Sequence, residues 1–268
     1  MAAFWGCRIV FVPDQAPSAE VLPDARARME TLEVPDLGTS PVIQRAMAEA
    51  RLLRERYGCC SGDFNSGGPL NNAVSVFGEE MLIVCETAPR LAQRALRKMG
   101  EALLAVYETV TCPINGVDPS LPRTWGGLAN CPVGMISPKT YREVVFPIDR
   151  WYRERQRCEG PWKLHHCGVF HPYAETYRLL NPTEIDVGRG TDYGATRRVC
   201  PRTPMSIEVH SLDLVGKSQT EIDGLVKRLV QEAGPPELVA KLWVAEAGSE
   251  LSDRTVRDFM TAPARIFQ

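Results

Sequence analysis

Short apolar runs alternate along this chain with longer stretches whose apolar positions recur every three or four residues. The short runs CRIVFV, GCCSGDF, PWKLHHCG, EIDVGRG, PMSIEVHS and KLWVAEA predict strands. Helices are predicted for SPVIQRAMAEARLLRERYG, with Ser40 as cap and Pro41 in the first turn, and for APRLAQRALRKMGEALLAVYETV. SPKTYREVVFPIDRWYRERQR repeats that start at Ser137 and Pro138, and SQTEIDGLVKRLVQEAG ends on the glycine expected after a helix. Alternation of this kind is the signature of βα units and a parallel sheet. TCPINGVDPSLPRTWGGLANCPVG, rich in Pro and Gly, reads as an extended connection within one domain, because the rhythm resumes after it. Long connections of this kind tend to be functional.

The polar residues that interrupt a predicted strand carry the candidate chemistry. GPWKLHHCGVFHPY, residues 160–173, places two histidines beside a cysteine and a third histidine beyond. A strand's period of two puts His165 and Cys167 on one face and His166 on the other. Imidazole and thiol together supply two of the four or so ligands that zinc takes. The bland alternative is a buried strand whose histidine is satisfied by backbone and whose cysteine acts as a small hydrophobe. His166 and His171 read as structural or as supports behind the site. In GDFNSGGPL, Asp63 and Asn65 either cap a tight turn or bind substrate. Asp186 and Asp192 follow a strand, where helix capping competes with a place in a pocket. Arg197 and Arg198 read as a solvated helix end, and Cys59 and Cys60, being adjacent, point apart.

Bulk properties narrow the classes. With 268 residues, 44% of them hydrophobic, the chain can bury a sizeable core. Lys+Arg 31 against Asp+Glu 33 leaves a formal charge of -2 without a basic stripe, which disfavours nucleic acid as a partner. No apolar run approaches the roughly 20 residues of a membrane span, and the N-terminus lacks the order of a signal peptide, so a cytoplasmic protein without membrane partners is expected. Nine scattered cysteines are expected to be reduced thiols in a cytosol or an anaerobe.

The order of segments resembles the uroporphyrinogen decarboxylase superfamily. SGDFNSGGPLNNAVSVFGEE, MISPKTYREVVFPIDRWY, LHHCG, EIDVGRGTD and ELSDRTVRDFM fall in that family's order, from about Trp5 to about Met260. The resemblance implies an α/β fold of the TIM (β/α)8-barrel type and a single domain over residues 1–268. It also implies that the first two barrel strands are missing, so that the barrel is N-terminally shortened. Edges left open in this way would be closed by a partner chain, in a homo- or hetero-oligomer, or by the missing part of a longer protein.

His-x-Cys-Gly separates two branches of the superfamily. Decarboxylases need no metal, whereas the corrinoid-linked methyltransferases bind zinc through His-x-Cys and a later cysteine. His165 and Cys167 match the first two positions; at the third, VAEAGSEL places Gly248 where the family has cysteine. Glu246, Glu250 and Cys200 are the candidates for the remaining ligand, Glu246 first. Asp63 and Asn130 are the implied catalytic positions, with Asn130 and Cys131 in a substrate-facing stretch. The implied function is zinc-assisted transfer of a methyl group between a methylated small molecule or thiol and a corrinoid carried on a separate protein. One rival is a cofactor-free decarboxylase, whose carboxylate-binding arginines lie in the missing region. The other is a non-catalytic shortened barrel serving as an assembly subunit.

Overall fold

The computed structural model describes residues 1–13, 15–62, 67–244 and 250–267. By its contacts the chain divides into two compact units, Met1–Gly160 and Pro161–Gln268.

The first unit is mainly helical. CRIVFV contributes only β1 (Ile9–Val10), which pairs antiparallel with β2 (Ser18–Ala19) and is not a parallel barrel strand. Pro13 and Pro17 explain its brevity, because neither can donate to a ladder. There follow α1 (Ala25–Glu30) and α2 (Pro41–Tyr57), which begins and ends where its pattern predicts and closes on Gly58 at φ 74°. Ser40 occupies the cap position of α2 without a side-chain capping bond. In the predicted strand GCCSGDF, Cys59–Gly62 are not in a strand, and the rest, with Asp63 and Asn65, lies outside the described residues.

Then come α3 (Pro69–Phe77), α4 (Glu79–Thr87) and α5 (Pro89–Val106), which runs through a π-helical turn, Tyr107–Thr111, into α6 (Cys112–Asn115). α5 buries Leu91, Ala95, Met99, Ala102 and Val106, a three-to-four spacing that lays one apolar stripe along the core. The expected connection contains β3 (Gly126–Ala129). After it, α7 (Pro138–Thr140) leads through a second π turn, Tyr141–Val145, into α8 (Phe146–Arg155). Ser137 does cap here, accepting from Thr140 N at 3.0 Å. Gly100 lets α5 and α8 approach closely, since a Cβ there would lie 2.7 Å from the Trp151 ring.

The second unit alternates strand and helix: β4 (Trp162–His166), α9 (Ala174–Tyr177), β5 (Glu184–Val187), α10 (Tyr193–Val199), β6 (Met205–Val209), α11 (Gln219–Ala233), β7 (Val239–Val244) and α12 (Asp253–Ile266). β4 to β7 are parallel neighbours in chain order. The chain is thus mixed α/β, and among the described residues of the second unit the parallel sheet has four strands against the eight of a closed barrel.

Period-two burial separates the faces of β4–β6. Trp162, Leu164, Ile185, Val187, Met205, Ile207 and Val209 are buried, each such side chain contributing about 1.5–3 kcal/mol. Val209 joins Leu214, Ile222, Val226, Phe259 and Ala262 in a core cluster that seats α11 and α12. The opposite face is polar. Across it the register pairs Lys163 with Glu184, His165 with Asp186, and Asp186 with Ser206. Among the described residues no helix is long and apolar enough to cross a membrane.

Candidate metal centre

His165 stands on the polar face of β4, and its orientation is set by β5 and, through it, by β7. Its Nδ1 lies 2.9 Å from Asp186 Oδ2 on β5, and Asp186 Oδ1 accepts from Trp243 Nε1 on β7 at 2.8 Å. The parallel register that sets His165 opposite Asp186 makes this contact a consequence of the sheet. A carboxylate on Nδ1 directs Nε2 toward a metal, fixes the tautomer and raises the basicity of the ligating nitrogen. Asp192, in contrast, caps α10, accepting from Ala195 N at 2.7 Å, as the capping alternative expected.

Cys167 is exposed and follows the last residue of β4. Its backbone is pinned against the loop after β5: Gly188 N donates to His166 O at 3.0 Å. A Cβ on Gly188 would stand 1.8 Å from Cys167 O, so only glycine allows this approach. Thr191 fastens the same loops, donating through Oγ1 to Gly168 O at 3.4 Å and accepting from Phe170 N at 3.1 Å.

His166 points the other way, as the strand's period requires. It is fully buried, its Nδ1 is 2.9 Å from Tyr177 Oη, and its ring sits among Phe170, Tyr173 and Tyr177. His171 accepts from Asp192 N at 3.0 Å. Both play the structural parts expected of them. Arg197 is no solvated helix end: its guanidinium donates to the carbonyls of Ala233, Cys200, Thr203 and Leu238, tying α10 to the segments before β6 and β7.

Cys131 follows β3, whose C-terminal end is held on several sides. Gly68 lies so close that a Cβ there would be 2.7 Å from Ala129 O, and Gln156 Nε2 donates to Gly127 O at 2.8 Å. Asn130 is fully buried, its Nδ2 donating to Asp149 Oδ2 at 2.7 Å, and Tyr141 Oη donates to the same oxygen at 3.1 Å. Burial pushes the Asp149 carboxyl up to about 7, against the pull of the Tyr141 and Asn130 hydrogen bonds.

Imidazole and thiol from His165 and Cys167, two residues apart at the end of β4, are donors suited to zinc and supply two of the four or so ligands it takes.

Glu246 lies outside the described residues, as does Gly248. Glu250 is exposed, and Cys200 is buried, its thiol pushed up by that burial. Asp186, left open between cap and pocket by the sequence, contacts His165 Nδ1. Cys131 belongs to the first unit, where it follows β3.

No protein-family model and no curated protein matches the chain. Among solved structures it is similar to a methyltransferase from Methanosarcina mazei, with a TM-score of 0.69 and 17% identity over 100% of this chain and 77% of that one. At this identity the likeness establishes a shared fold.

Proposed function

We propose that the chain is a methyltransferase that uses zinc held by His165, Cys167 and a third group to pass a methyl group between a thiol or methylated small molecule and a corrinoid on a partner protein. The observation that carries this reading is the imidazole of His165, oriented by Asp186, with the thiol of Cys167 at the C-terminal end of β4. Such ends are where parallel α/β folds build their sites. The fold shared with a methyltransferase supports the class of reaction. Zinc bound there would supply Lewis acidity that keeps an acceptor thiol ionised at neutral pH.

The chain's own residues hold and orient. Asp186 keeps the proton on His165 Nδ1, with Trp243 fixing the carboxylate in turn. Gly188 and Thr191 set the backbone at Cys167. In the forward sense the acceptor's sulfur–carbon bond would form as the metal–carbon bond of the methylated corrinoid breaks, the electron pair staying with the corrinoid.

Zinc affinity by chelator competition, with methyl transfer from methylcobalamin to mercaptoethanol, tests the proposal. His165→Ala and Cys167→Ala should each lose most of the zinc and the transfer, while His166→Ala keeps its zinc. Wild-type protein that takes no zinc, or loses none in these variants, would overturn it.

A further inference from the structure

Beside α11 the second unit holds an open cavity of about 770 Å³, bounded also by the loop after β5 and the end of β6. That volume is in the range of small-molecule sites. Every residue lining it lies between Arg189 and Glu232, so the cavity belongs to the second unit alone. His165, Cys167, Asp186 and Trp243 are not among its walls.

Tyr193 sets this cavity apart from a surface dip. The residue is only 7% exposed and lines the cavity, yet its hydroxyl makes no hydrogen bond to a described residue. A tyrosine hydroxyl buried to this extent usually finds a partner, and here only the cavity can supply one. Burial, together with the carboxylates of Glu232, Asp213 and Glu208, pushes the phenol up to about 12. It therefore stays neutral and keeps lone pairs to offer a donor. Gly224 is a second, independent feature. Glycine is unfavourable inside a helix, and a Cβ at 224 would meet nothing within 4 Å, so packing does not require it. The absent side chain leaves room along the α11 wall of the cavity.

The charges select the ligand. Glu208, Asp213, Glu221 and Glu232 line the cavity against three cations, each of which has a carboxylate partner there. Arg189 pairs with Asp213 at 3.0 Å, Lys217 with Glu221 at 3.7 Å and Arg228 with Glu232 at 3.9 Å. An anion would have to break one of these pairs, whereas a cation meets an excess of negative charge. Among the described residues these carboxylates do not converge into a metal-holding group. Val209, Leu225 and Leu229 add apolar surface beside them. We propose that the cavity binds an organic ammonium ion, whose N–H groups donate to Tyr193 Oη and to the surrounding carboxylates while its apolar body rests on Leu225 and Leu229. The site uses no metal and stands apart from the function proposed above.

The test titrates the protein by calorimetry, without added metal, with three probes of one shape: phenethylammonium, neutral 2-phenylethanol and anionic phenylacetate. Phenethylammonium should saturate with a Kd of about 1 mM or tighter, and the other two should bind at least about tenfold more weakly. Tyr193→Phe removes only the hydroxyl and should weaken phenethylammonium by about tenfold, as for a lost hydrogen bond to a charged group. Gly224→Leu, which fills the α11 wall, should abolish binding, and thermal unfolding of each variant checks that it is folded. If Gly224→Leu does not fold, Asp213→Asn replaces it and should weaken binding by at least about fivefold. No saturable binding of phenethylammonium up to about 10 mM would overturn the proposal, as would equal or tighter binding of phenylacetate. Folded Tyr193→Phe with an unchanged Kd would overturn it too.

Discussion

Gly188 shows how strongly single positions constrain the centre. The backbone of the loop after β5 passes so close to that of Cys167 that a Cβ would stand 1.8 Å from the Cys167 carbonyl oxygen. Neither atom belongs to a flexible side chain, so the clash can be relieved only by moving the strand ends apart. Gly188→Ala should therefore cost about 1–3 kcal/mol of stability and lower the zinc bound per chain. Thermal unfolding and metal analysis of the purified variant check this; unaltered values for both would show that the approach is not required. Similar reasoning separates the adjacent histidines: opposite faces of one strand make His165 a donor in the polar row and His166 a buried partner of Tyr177.

At the scale of elements, what could be read in the sequence depended on side-chain pattern. β4, β5, β6 and β7 were legible because β-branched, aromatic and aliphatic residues alternate with polar ones, and α2, α5 and α11 because their apolar spacing is helical. β3 was not legible: Gly-Gly-Leu-Ala has almost no strand propensity, and it is held by packing against Gly68 and by Gln156. CRIVFV carried the opposite error, a good strand pattern that flanking prolines confine to two residues. His165 and Cys167 were visible from spacing alone. The link from His165 to Asp186 and Trp243 depends on a parallel register that no local pattern contains. Arg197 was misread for the same reason, since its acceptors come from segments up to 41 residues away.

For the whole molecule, the buried carboxyl predicts how stability responds to pH. Asp149 titrates near 7 in the folded chain, raised from an ordinary 3.8 chiefly by burial. Between about pH 4 and 7 the folded state therefore holds a proton that the unfolded state has released, and stability falls as pH rises through that window. Asp149→Asn, uncharged throughout, should remove this slope, so urea midpoints of wild type and variant should diverge steadily from pH 4 to 7, with the variant the more stable at the upper end. Parallel curves would show that Asp149 does not carry the proton.

The central claim is the ligand set, and zinc K-edge X-ray absorption on the zinc-loaded protein tests it most directly. His165 and Cys167 predict at least one sulfur at about 2.3 Å with nitrogen or oxygen at about 2.0–2.1 Å, and one sulfur fewer in Cys167→Ser. A shell without sulfur in wild type, or one unchanged by Cys167→Ser, would contradict the account.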